Sequence, residues 1–142
     1  MIVQNTRLRL HMWLETDEGQ VLGLGRVLLL REVQKLGSLN KAAKALGMSY
    51  RAAWGRIKTS EEMLGAALVE KKGTRKGFIL SPLGEKLLDS FNQWYEAVEA
   101  FALEEARKSF PWDVQPFGDE KELAPSEVAG REDPVKKTEK IK

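Results

Sequence analysis

Seven basic residues, Arg31, Lys35, Lys41, Lys44, Arg51, Arg56 and Lys58, lie between positions 31 and 58 against one acid, Glu32. Lysine and arginine stay charged far above neutral pH, so a cluster of this kind can neutralise phosphates and grip base edges but cannot shuttle protons. The formal net charge of the whole chain, +2, hides this concentration. Positions 109–142 carry six bases against eight acids, so positive charge is gathered into one segment rather than spread.

Other chemistry is largely excluded. The chain has no cysteine and one histidine, His11, which removes disulfides, thiolate metal sites and paired-histidine acid–base chemistry. Glu61 and Glu62 are adjacent carboxylates that point in different directions on a helix and make a poor acid–base pair. No nucleophile–base–orienter set and no glycine-rich phosphate loop is found, so neither an enzyme, a metal site nor a cofactor is expected. The apolar run from Val27 to Leu30 is far short of the roughly 20 residues needed to cross a bilayer. With no basic-then-apolar leader at the N-terminus, a cytoplasmic protein without membrane contact is expected. A length of 142 residues suits one domain plus a tail.

The elements that must position the basic cluster follow from periodicity. Positions 7–15 alternate, with Leu8, Leu10, Met12 and Leu14 on one side and Arg7, Arg9, His11, Trp13 and Glu15 on the other, which predicts a half-buried strand with His11 exposed. Asp17-Glu18-Gly19 reads as a turn. A helix from Arg26 carries Val27, Leu28, Leu30, Val33 and Leu36 and stops at Gly37; apolar on more than one side, it is the central helix. Ser38 caps a short helix with Leu39, Ala42, Ala43 and Leu46 as its apolar stripe, ended by Gly47. Ser49 caps a longer one, to about Met63, with Gly65 at its end. Positions 67–71 and 78–80 pair around a basic loop, 72–77, and Pro82 opens a last helix to position 108.

Two helices joined by Gly47-Met48-Ser49 form a helix-turn-helix, and the basic hairpin makes it a winged one. Ala43 suits the crossing of the two helices, and Ala53 and Ile57 turn inward. Ser38, Ser49, Tyr50, Arg51, Gly55 and Lys58 are then candidates for a DNA-facing surface. In that pose Arg51 bonds a guanine edge, Tyr50 or Ser49 reaches a phosphate or base edge, and Gly55 lets the backbone come close. Lys41, Lys44 and Lys58 hold phosphates. Trp54 either stacks on a sugar–phosphate edge or packs against Tyr50. Lys71, Lys72, Thr74, Arg75 and Lys76 form the wing, which reaches the flanking backbone or minor groove.

The run from Gly37-Ser38-Leu39 through Ser49-Tyr50-Arg51-Ala52-Ala53-Trp54 resembles the DNA-binding domain of the molybdate-responsive ModE-type regulators. Leu64-Gly65, Leu68-Val69-Glu70 and Leu80-Ser81-Pro82-Leu83-Gly84 extend that resemblance, which covers about positions 8–106 and reaches more distantly to LysR-type regulators. It implies a dimeric transcriptional regulator of prokaryotic type. ModE-type proteins also carry molybdate-binding Mop-like barrels with a Ser-Ala-Arg-Asn run. No such run occurs here, so no molybdate site is expected in this chain. Its wing is also shorter than that family's, so the resemblance implies wing contacts only in kind.

The last helix repeats Leu87, Phe91, Trp94, Val98 and Phe101 at coiled-coil spacing, broadened by Tyr95, and this stripe is expected to be a homodimer interface. Beyond Ser109 periodicity fails among prolines and charges, which predicts a flexible tail, 109–142, in which only Ser109-Phe110-Pro111-Trp112 and Phe117 invite docking. The fold class is thus α+β, mostly α: a winged helix-turn-helix domain over 1–108 whose long C-terminal helix, 82–108, dimerises. Binding of double-stranded DNA as a transcriptional regulator is the function expected. The alternative is a winged-helix adaptor for another protein, which salt would separate, since phosphate contacts weaken steeply as salt rises.

Overall fold

The computed structural model describes residues 3–73 and 77–118. Its N-terminal segment departs from a single strand. β1 (Thr6–Leu8) and β2 (Trp13–Thr16) enter different sheets, β2 pairing antiparallel with β3 (Gly19–Gly23) across a register shift between Leu14 and Glu15. The alternation survives the break, with Leu8, Leu10 and Met12 half-buried and Arg7, Arg9, His11 and Trp13 exposed. Leu14 is exposed against expectation, on a strand that belongs to a ribbon of only two strands.

Helix α1 (Leu24–Leu36) starts two residues earlier than its periodicity predicts and buries Val27, Leu28, Leu29, Leu30 and Val33. Four consecutive buried residues leave no polar side over that turn, the mark of a helix surrounded by its neighbours. Gly37 closes it in the left-handed region at φ 66°. α2 (Leu39–Ala45) contributes Leu39, Ala42 and Ala43 to the core, and α3 (Tyr50–Leu64) contributes Ala53, Ile57 and Ser60. Between them Gly47 turns at φ 69°, and the Met48 amide donates to the Ala43 carbonyl at 3.0 Å.

One charge lies inside this core. Arg26 is buried, its Nε donating to Ser60 Oγ at 2.7 Å and its Nη1 to Gln20 Oε1 at 2.7 Å. Ser60 Oγ in turn donates to the Val21 carbonyl at 2.6 Å, so the β2–β3 ribbon is hydrogen-bonded to α1 and α3 together.

The hairpin of β4 (Val69–Lys72) and β5 (Gly77–Leu80) follows, in register Val69 to Leu80 and Lys71 to Phe78. Ser81 then caps α4 (Pro82–Ser109), accepting from the Gly84 amide while its hydroxyl donates to the Ala67 carbonyl at 2.6 Å. The first half of α4 lies on the core through Leu88 and Phe91.

Its far end meets β6 (Val114–Pro116), which pairs in parallel with β1. The expectation of an unstructured chain from 109 is therefore corrected as far as residue 118. Val114 is buried, its carbonyl accepts from Arg107 Nε at 3.2 Å, Phe110 and Trp112 stack at 5.2 Å, and Arg9 lies over the Phe117 ring at 4.0 Å. These contacts join residues distant in sequence or outside any regular period, so they have no local periodic signal. Positions 119–142 of the expected tail lie outside the described residues.

A Cβ built on Gly84 would collide with the backbone carbonyl of Leu68, which cannot swing aside as a side chain can. Gly84→Ala is expected to destabilise the fold by roughly 1–3 kcal/mol, as overpacking does, measured by urea denaturation.

Candidate nucleic-acid interface

At 3.6 residues per turn, the buried Ala53, Ile57 and Ser60 fix which face of α3 points away from the core. That outer face carries Arg51, Gly55, Lys58 and Glu62, all exposed. The single acid of that face stands at its C-terminal end and Arg51 at its N-terminal end; Lys41 and Lys44 of α2 are exposed as well. The positive end of the helix dipole coincides with the basic end of the face.

The serines are spent on helix starts: Ser38 Oγ accepts from the Lys41 amide at 3.1 Å and Ser49 Oγ from the Ala52 amide at 3.0 Å. Each hydroxyl keeps one proton to donate. Tyr50 is exposed beside Arg51 at the first turn. Gly55 has a right-handed conformation and a Cβ there would meet nothing within 4 Å, so the fold itself gives no reason for glycine.

Ion pairing divides the basic residues. Lys35 lies 3.7 Å from Glu32, Arg31 donates to Asn92 Oδ1 at 2.9 Å, and at the far end of α4 Lys108 pairs with Glu104 and Glu105. Arg56 is half-buried, which lowers its pKa, and it leaves the outer face. Among the described residues, Lys41, Lys44 and Arg51 form no ion pair.

Trp54 does not meet Tyr50. Its ring packs on Phe78 of β5, 5.9 Å between centroids, rather than on the tyrosine one turn away. Lys58 is drawn to the same place, its ammonium 5.0 Å from the Trp54 centroid and 4.0 Å from Glu61 Oε1, so it is a partly compensated cation.

Glu61, which the sequence leaves as a poor acid–base candidate, holds the hairpin: its Oε2 accepts from the amides of Leu68 at 2.7 Å and Val69 at 3.3 Å. A carboxylate in a helix's last turn opposes the dipole, and that misfit was the only sequence signal that a specific donor waits for it. Lys71 and Lys72 are exposed on β4; Thr74, Arg75 and Lys76 lie outside the described residues.

The stripe on α4 is narrower than its spacing suggests. Phe91 is only 3% exposed, which takes it out of the expected dimer interface, and Leu87 and Tyr95 are half-buried against the same core. Burial, with the Glu99 carboxylate, raises the Tyr95 pKa. Trp94 at 37% and Phe101 at 65% stay exposed, with Val98 half-buried between them. Among the described residues no group of three histidine, cysteine, aspartate or glutamate side chains could hold a metal ion, and no helix is long and apolar enough to cross a membrane.

The stretch from the start of α1 to the first turn of α4, with its capped turn and outward first turn, has a known counterpart. Residues 24–85 match the bacterial regulatory helix-turn-helix protein, lysR family. The chain is 36% identical over 85 residues to the molybdenum-pterin-binding protein MopB of Rhodobacter capsulatus, covering 58% of this chain and 30% of that one. It is 40% identical over 73 residues to the molybdenum transport protein ModE of Azotobacter vinelandii, covering 51% and 27%. To the transcriptional regulator ModE of Haemophilus influenzae it is 34% identical over 70 residues, covering 47% and 28%. The chain thus spans at most 30% of the length of these relatives. Among solved structures, a crystal structure of a CbnR_DBD-DNA complex aligns with a TM-score of 0.48 at 21% identity, over 59% of this chain and 93% of that one. The crystal structure of ArgP from Mycobacterium tuberculosis aligns at 0.45 and 30% identity, over 59% and 30%.

Glu61→Ala would leave the amides of Leu68 and Val69, at the start of β4, without this acceptor. A loss of about 1.5–3 kcal/mol in urea denaturation is expected, the cost of a hydrogen bond to a charged group.

Proposed function

We propose that this chain is a sequence-specific, double-stranded DNA-binding transcriptional regulator that acts as a dimer and not an enzyme. The observation that carries this reading is the exposed first turn of α3, where Arg51, like Lys41 and Lys44 of the preceding helix, forms no ion pair among the described residues. An unpaired guanidinium at a helix N-terminus is equipped to enter the major groove and to bond the two acceptors of a guanine edge. Lys41 and Lys44 flank it for phosphates, and Lys71 and Lys72, with Thr74, Arg75 and Lys76 beyond them, serve the flanking backbone or minor groove.

The exposed remainder of the α4 stripe, Trp94, Val98 and Phe101, supports a homodimer through that helix. Two α3 helices would then meet two half-sites about one turn of DNA or a small multiple apart, and occupancy of the site would control transcription in the cytoplasm. The relatives' names speak of molybdenum. What this chain shares with them includes the helix-turn-helix, and the DNA reading is the part we carry over; no molybdate site is assigned to this chain.

A selection of binding sites from random duplexes tests the assignment. Arg51→Ala is expected to cost about 1–3 kcal/mol and to relax base preference, whereas Lys44→Ala should weaken all sequences evenly and make the salt slope shallower by about 1. An unchanged recovered site with Arg51→Ala would refute base reading by Arg51. Salt-insensitive retention of a protein partner, with no duplex recovered, would favour the adaptor instead.

Gly55 offers a test with opposite signs. Because its Cβ meets nothing in the fold, Gly55→Ala is expected to stabilise the protein by about 0.5–1 kcal/mol through the helix propensity of alanine. The same methyl group on a face pressed against a duplex should weaken DNA binding. Thermal melting and titration of the selected duplex measure the two effects side by side.

A further inference from the structure

We infer that Trp54 is a positioning residue for the wing: through Phe78 it fixes the direction in which the β4–β5 hairpin leaves α3, and it does not itself touch DNA. This rests on the DNA-binding reading above. The ribbon consists of two strands of four residues, too short to hold a direction without support.

Its base is pinned at several points. Glu61 takes the amides of Leu68 and Val69, the Ser81 amide donates to the Leu68 carbonyl at 2.9 Å, and the Phe78 amide donates to the Gly37 carbonyl at 3.1 Å. The Glu61 and Ser81 bonds hold the base, and further out the Phe78 amide bond fixes one point on β5, about which the tilt is left to side-chain packing. The Trp54–Phe78 contact supplies that packing, and it lies further from the base than the Glu61 bonds.

Register decides what the contact controls. Phe78 faces Lys71 directly across the ribbon, so the two side chains share a face, and Lys72 follows on the other. A tilt about Phe78 therefore moves both cations. Trp54 also sits one position from Gly55 and three from Arg51, on the flank of α3 between the buried and the outer faces. With Phe78 and the Lys58 ammonium both against its ring, Trp54 joins the base-reading helix to the wing. The spacing between the base edge under Arg51 and the phosphates under Lys71 and Lys72 is then set at Phe78, by its ring on Trp54 together with its amide bond to the Gly37 carbonyl.

The test is a set of anisotropy titrations of the full chain on the selected duplex over a range of salt. It compares the parent, Trp54→Phe, Trp54→Ala, Phe78→Leu and a Lys71→Ala/Lys72→Ala background carrying each change. Trp54→Ala and Phe78→Leu should each lower affinity by roughly threefold or more, the scale of coupled neighbours. The salt slope should become shallower by about 0.9 for each phosphate that the wing no longer neutralises. The recovered base sequence should not change, Trp54→Phe should behave as the parent, and in the wing-neutralised background the same substitutions should cost nothing further.

A Trp54→Ala loss that persists undiminished in that background, or a wing-neutralised protein that binds as the parent does, overturns the positioning role alone. A parent that binds no duplex at any salt overturns the DNA reading and this inference with it. Should Trp54→Ala unfold, Phe78→Leu, which removes the ring contact from the hairpin side and keeps an apolar side chain, carries the same decision.

Discussion

The approach of α2 to α3 depends on small residues, since three of the six residues that the two helices bury are alanines. Ala42, Ala43 and Ala53 are all buried to within 1%. Interaxial distance between packed helices is set by the side chains at the contact, and alanines allow the close end of the range. A leucine at any of the three would prise the pair apart and rotate α3. With the inner face of α3 fixed by Ala53 and Ile57, the outer face has no freedom left: Arg51 and Gly55 must point away from the protein. The presentation of the basic first turn is a consequence of core packing rather than of any interaction that Arg51 makes.

The buried Arg26 performs a related service at the other end of α3. Burying a guanidinium is costly unless its donors are met, and Ser60 and Gln20 meet two of them. Because Ser60 also serves the Val21 carbonyl, the arrangement is satisfied only when α1, α3 and the N-terminal ribbon are together. Apolar contacts alone would tolerate α3 sliding along α1; this polar set does not. The two ends of α3 are thus registered by different means, small residues at the start and directional hydrogen bonds near the finish.

What could be read in the sequence was whatever is local. Ser38, Ser49 and Pro82 mark helix starts and Gly37, Gly47 and Gly65 mark ends, because caps and left-handed turns depend on a few neighbouring residues. The outward set Tyr50, Arg51 and Gly55 follows from the inward pair Ala53 and Ile57 by period alone. The misses are pairings across distance. Nothing near Trp54 announces Phe78, and nothing near Thr6 announces Val114. The α4 stripe was legible as apolar but not as shared: Phe91 and Trp94 have the same period, yet one faces this chain's core and the other faces out. A heptad pattern states that a helix has a partner, and it is silent on whether that partner is the same molecule.

The distribution of ion pairs bears on function more directly than the count of charges. A cation already paired with a carboxylate must surrender that partner before it can serve a phosphate, which cancels much of the gain. Arg107 and Lys108 at the end of α4 are of this kind, facing Asp113, Glu104 and Glu105. Among the described residues Lys41, Lys44 and Arg51 form no ion pair that would have to be surrendered, and with α3's outer-face acid, Glu62, at the opposite end, the outer face of α3 presents its uncompensated cation at the first turn. Its field orients the encounter before contact is made, at a rate that falls as salt screens it. The turn exposed by alanine packing is therefore also the turn toward which a duplex is steered, and these two properties arise from different residues, which makes their coincidence an argument for the interface.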